Sequence, residues 1–137
     1  MKIFTIDEST KNPLELTQVK GHLWKAPQEV EALAKNGKLW HLIGWHDSKQ
    51  FGFYHKRKAV TINLREVEIV SINYMTRAKG KGWVALEVKY HDNVGVYPIL
   101  ESKTYKKEAL EWCMEKIEVL QEAIGLEIEV NNYGHDC

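Results

Sequence analysis

Hydrophobic residues recur along this chain with two different periods, and the places where the period changes divide it into elements. The first six residues, with Ile3, Phe4 and Ile6, read as a strand, and the following "DESTKNP" has the composition of a loop. Leu14, Leu16 and Val19 allow a second short strand. In "APQEVEALAKNG" the spacing turns helical: Val30, Leu33 and Ala34 share a face, Pro27 suits a first helical position, and Asn36-Gly37 suits the stop. That predicts a helix of about two turns.

From residue 38 the period is two. "KLWHLIGWH" and "FGFYHKRK" flank "DSKQ" as a hairpin, which sets His46 opposite Phe51. "AVTINL" places Val60, Ile62 and Leu64 on one face, and the phase slips at Arg65-Glu66. "VEIVSINY" then resumes with Val70, Ile72 and Tyr74 in step. "GWVALEVKY" follows with Val84, Leu86, Val88 and Tyr90 on one face, and "VYPIL" returns as a strand expected at a sheet edge because of Pro98. About six strands in succession form a meander, not an alternation of strand and helix.

"KKEALEWCMEKIEVLQEAIG", residues 106 to 125, is the most regular helical stretch. At about 100° per residue Leu110, Cys113, Ile117, Leu120 and Ile124 share one side, with Met114 on one flank and Ala109, Trp112, Val119 and Ala123 on the other. Glu108, Glu111, Glu115, Glu118 and Glu122 form a ridge expected to face water. After Gly125, "LEIEV" alternates as a last short strand, and "NNYGHDC" reads as a frayed tail.

A strand meander closed by a C-terminal helix that carries a tryptophan resembles the pleckstrin-homology-like superfold. "EALEWCMEKI" and "INLREVEIVSINY" are the segments that carry the likeness. The resemblance implies an α+β fold: an antiparallel meander or open barrel over residues 38 to 125, closed by the long helix with Trp112 over its mouth. Residues 1 to 37 are then an N-terminal extension with a short strand and helix, and 126 to 137 a short strand and tail, all within one domain. The lipid-binding members of that superfold carry a basic pattern in the first strand pair. Here that hairpin has only Lys49 in its loop and "KRK" at its far end.

Composition narrows the function. At 137 residues the chain is long enough for one real core, and 44% hydrophobic with 28% charged residues excludes a disordered chain. Without 18 consecutive apolar residues or a signal-peptide pattern, neither a membrane span nor export is expected, and two unpaired-looking cysteines, Cys113 and Cys137, fit a reducing cytoplasm. Net charge is zero but unevenly spread: residues 49 to 81 carry eight bases against Glu66 and Glu68, and residues 101 to 137 carry nine acids against four bases.

Catalytic chemistry finds little footing. Cys113 lies on an apolar helix face, Ser48, Ser71 and Ser102 have no paired base nearby, and "RAKGKGW" lacks the order of a phosphate-binding loop. His46 and His55 share a hairpin face but stand ~13 Å apart along the ladder, too far for one metal ion. No enzyme activity, metal or other cofactor is expected.

Recognition is the better reading. Trp40 and Trp45 must point to opposite faces of the hairpin, so one of them is either exposed or covered by the N-terminal extension. The partner-binding surface expected from the sequence combines Trp40, Trp45, Phe51 and Tyr54 as apolar contacts with Lys56, Arg57, Arg77, Lys79 and Lys81 as steering charges. The partner is another protein, in an adaptor or inhibitor role, with a homodimer also conceivable through the glutamate ridge. The alternative is nucleic acid, because "YHKRK" and "RAKGKGW" set cations beside Tyr54, His55 and Trp83.

Overall fold

The computed structural model of the chain describes residues 1–17, 26–36, 41–92 and 95–135. Among these residues it is an α+β fold of nine strands and two α-helices. The strands are β1 (Lys2–Asp7), β2 (Glu15–Leu16), β3 (Leu42–His46), β4 (Gln50–His55), β5 (Lys58–Asn63), β6 (Val67–Thr76), β7 (Trp83–Tyr90), β8 (Val96–Ser102) and β9 (Ile128–His135). Helix α1 spans Gln28–Asn36 and α2 spans Lys107–Ile124.

The meander is cut into two sheets. One has the order β1-β3-β4-β5 and the other β2-β8-β7-β6-β9, so the strands do not close into a barrel. The cut falls where the alternation slips: Leu64–Glu66 form a single 3₁₀ turn, started by Asn63, whose Oδ1 accepts from Arg65 N at 3.0 Å. That turn rotates the chain from the first sheet into the second.

Alternation decides which faces are buried. Ile6, Leu42, Phe51, Phe53, Val60 and Ile62 of the first sheet join Val70, Ile72, Val84, Leu86 and Val88 of the second in one cluster, completed by Ala109, Trp112, Cys113, Leu120 and Ile124 of α2. Helix α2 packs chiefly on β1 and β3 and reaches β4 and β7. The outer face of the first sheet has its own cluster, in which α1 lays Val30 and Ala34 against Ile43 and Trp45. The N-terminal extension thus covers one of the hairpin tryptophans. Leu33, placed by helical spacing on the buried face, is instead exposed, because Val30 and Ala34 alone meet the sheet.

Two glycines allow these close approaches. A Cβ on Gly44 would lie 2.8 Å from both the Ala123 Cβ and the Ile6 Cδ1, so its absence lets α2 settle onto β3. Gly52, opposite Trp45 in the ladder, leaves the space that the indole fills.

Three further expectations change. Trp112 is not a lid over a barrel mouth: it is 8% exposed, and its Nε1 donates to Asp7 Oδ2 at 2.7 Å, which ties α2 to the end of β1. "NNYGH" is not a frayed tail, since β9 continues to His135 and pairs in parallel with β6, Asn131 beside Asn73 and His135 beside Thr76. The last two residues lie outside those described. Pro98 is not in an edge strand either, because β8 is second in its sheet, although β2 covers only Leu100 and Glu101. Proline is tolerated there at the bulge between Leu86 and Glu87.

Candidate functional site

The aromatic and basic surface expected from the sequence does not assemble as one patch. Trp45 and Phe51 are fully buried, each in a different cluster of the first sheet, so neither can anchor an outside partner in this fold. Tyr54 is half-buried against the α1 cluster. Trp40 lies outside the described residues, as do His22 and Trp24. The cations separate as well. Lys56 and Arg57 form the exposed turn between β4 and β5 of the first sheet, whereas Arg77, Lys79 and Lys81 are exposed on the loop between β6 and β7 of the second. That loop is anchored to the start of α2 by Tyr105 N donating to Lys81 O at 2.8 Å.

What the fold brings together is the outer face of the second sheet. Because β6 and β7 send Val70, Ile72, Val84, Leu86 and Val88 inward, their alternate residues Ser71, Asn73, Met75, Trp83, Ala85, Glu87 and Lys89 point the other way. Register places Glu101 of β8 beside Ala85, and Glu129 and Asn131 of β9 beside Ser71 and Asn73. Both helices have their packing partners elsewhere: α1 on β3, and α2 on the inner side with the shared core.

At the centre of this face is a hydrogen-bonded polar row. Asn73 Nδ2 donates to Ser71 Oγ at 3.0 Å and to Glu87 Oε1 at 2.7 Å, and Asn73 Oδ1 accepts from Asn131 Nδ2 at 2.9 Å. An amide has two Nδ2 hydrogens, so this pattern commits both. Asn73 is 1% exposed, and a side chain so buried requires such partners. Burial pushes the Glu87 carboxyl above its ordinary pKa, the Asn73 hydrogen bond opposes that rise, and nearby Glu101 adds to it.

Charge and aromatic character flank the row. Glu15, Glu87, Glu101 and Glu129 share the face, and its ammonium, Lys89, is held by Glu68 at 3.1 Å. At the end nearest the basic loop, Trp83 and Tyr133 meet with ring centroids 5.6 Å apart, and Tyr133 is 53% exposed. Sequence reasoning noticed Trp83 only as a neighbour of cations and assigned Tyr133 to a tail. Asn73 in mid-strand was the available signal, since asparagine is depleted from strands and needs a reason there.

Asn73 has spent its donors inside the row, and His46 is elsewhere: its Nδ1 donates to Ala123 O at 3.2 Å, at the C-terminal end of α2. Burial pushes the Cys113 thiol up to about 12, which leaves it protonated and unreactive at neutral pH. Tyr90 is likewise raised, by burial first and then by Glu66 and Tyr97. Among the described residues no three His, Cys, Asp or Glu side chains group as a metal site would require, and no helix is long and apolar enough to cross a membrane.

No curated protein and no solved structure matches the chain. A family model does match, over residues 19–132, from just before α1 into β9 but without β1 and β2. By that match, which covers most of its length, the chain belongs to the PM0294 C-terminal domain family.

Proposed function

We propose that this protein is a non-catalytic, cytoplasmic binding module that holds another protein on the outer face of its second sheet. The observation that carries this reading is the combination on one sheet face of four carboxylates, Glu15, Glu87, Glu101 and Glu129, with the half-exposed Trp83–Tyr133 pair. The polar row is already hydrogen-bonded, so the face is a preorganised surface and binding need not order it. Its partner presents cations to the carboxylates and an apolar side chain to Tyr133. The order of antiparallel strands followed by α2, with Trp112 turned inward, also supports reading the core as pleckstrin-homology-like in an open form.

Nucleic acid is the second reading, because the loop carrying Arg77, Lys79 and Lys81 leads directly into Trp83 and could supply phosphate contacts beside a stacking surface. The carboxylates on the same face repel phosphates, which favours the protein partner. Capture from the native lysate, with and without nuclease, separates the two when run beside Tyr133→Ala and Glu101→Lys/Glu129→Lys variants. A stoichiometric protein that survives nuclease and is lost with both variants supports the proposal. Capture that vanishes with nuclease or with Arg77→Glu/Lys79→Glu, yet tolerates Tyr133→Ala and the glutamate reversals, overturns it in favour of nucleic acid.

A further inference from the structure

The turn between β4 and β5 has a feature that the sheet face does not use. Lys56 and Arg57 both adopt left-handed backbone conformations, with φ of 50° and 67°. A two-residue hairpin turn of this kind favours Asn-Gly, because side chains other than those of Gly, Asn and Asp raise the energy of a left-handed residue. The chain accepts that cost at two consecutive positions and places a cation at each. Beside the turn lies a cavity of about 100 Å³, lined by Glu15 and Leu16 of β2 and by His55, Lys56 and Lys58 of the hairpin. It stands where the edge of the second sheet meets the end of the first. His55 is 3% exposed, so one wall is dry, while Lys56 and Lys58 are exposed. Neither lysine has a carboxylate within ion-pair distance among the described residues.

We propose that this cavity binds a small phosphate-type oxyanion, free or as a soluble phosphomonoester, between Lys56 and Lys58. Among the described lining residues two ammonium groups outweigh the one carboxylate, and charge-assisted hydrogen bonds from lysine are the ordinary means of holding phosphate. A cavity of about 100 Å³ admits a group of that size. Glu15 is the counterweight: its charge lowers affinity and restricts the site to strongly charged anions. The strained turn is explained on the same terms, since Asn-Gly would relax the backbone and remove the Lys56 ligand.

Amide and side-chain NMR of the full chain, titrated with inorganic phosphate or with phosphoserine as the free amino acid, tests this at ionic strength held constant with chloride. Expected are saturable shifts confined to residues 15–16 and 55–58, with millimolar or tighter affinity for at least one of the two ligands. Lys56→Gln/Lys58→Gln should weaken binding at least tenfold, and Glu15→Gln, which leaves the turn untouched, should tighten it several-fold. Lys56→Asn/Arg57→Gly should raise the melting temperature while lowering affinity. Shifts that grow linearly, that chloride reproduces, or that ignore both the lysine and Glu15 substitutions overturn the proposal.

Discussion

Asn73 and Trp112 make the same point at the residue scale: a buried polar atom is informative because its partner must be found. The Asn73 row keeps Glu87 on a half-buried sheet face, where its carboxyl is raised above the usual value. For such an acid the folded state binds the proton more tightly than the unfolded chain. Stability is therefore lost as pH rises from the unfolded pKa through the folded one, and the loss is complete above it. Glu87→Gln keeps an oxygen for Asn73 Nδ2 and removes the charge. Urea titrations should find the variant more stable at pH 7, by less than about 1 kcal/mol because water screens a half-exposed group, with the difference disappearing near pH 4. A variant destabilised at pH 7 but not near pH 4 would mean that the ionised carboxylate itself is needed in the row. Trp112→Phe keeps most of the packing but strands Asp7 Oδ2, a buried acceptor that otherwise takes the indole N–H. The loss should be about 1.5–3 kcal/mol, as for hydrogen bonds to charged groups, and adding Asp7→Asn should recover part of it.

Elements were legible where alternation was strict and short-range chemistry fixed the register. "DSKQ" sets His46 opposite Phe51, and that pairing is found. The slip at Arg65-Glu66 is the 3₁₀ turn, and the glutamate ridge of α2 is exposed throughout. The division into two sheets was not legible, because the inner faces of both are equally apolar and nothing local says which strands face each other. Nor was the length of β9: Asn131 and Asn132 break the apolar alternation, and they belong to a strand only because Asn73 and the β6 ladder receive them. The candidate site was missed for that reason, since Glu129, Asn131 and Tyr133 sit on β9. Glycine in strands was similarly mute until the neighbours were known. Gly44→Ala would press on Ala123 and Ile6, and overpacking of that kind costs about 1–3 kcal/mol. Gly52→Ala would meet both the Trp45 ring and the Val60 carbonyl, and a backbone carbonyl of the β4–β5 ladder cannot move aside as a flexible side chain can. Thermal unfolding should rank Gly52→Ala as the more damaging, and near-UV signals of Trp45 should change only in that variant. The reverse order would mean that α1 and Trp45 shift more easily than α2.

At the scale of the molecule, the family match begins at residue 19, yet the folded unit reaches back to residue 2. Strand β1 pairs along β3, from Lys2 beside His46 to Asp7 beside Leu42, and presents Asp7 to Trp112. β2 is only two residues long, but Leu14 is 1% exposed and Leu16 8%, and Ile6 of β1 is 4% exposed in the same core. Burying an aliphatic side chain of this size stabilises by about 1.5–3 kcal/mol. Three of them therefore contribute about as much as the whole stability of an ordinary domain, roughly 5–15 kcal/mol. Losing β1 also bares the β3 edge and removes one of the two strands on which α2 chiefly rests. A chain beginning at residue 19 should therefore retain helix by far-UV circular dichroism but lack dispersed amide resonances and a cooperative urea transition. Adding a synthetic peptide of residues 1–17 should restore both at micromolar to millimolar concentration, because the missing strands can dock on edges that already exist. If the shortened chain unfolds cooperatively on its own with an unchanged m-value, β1 and β2 are accessories, and the core is complete without Asp7, Ile6, Leu14 and Leu16.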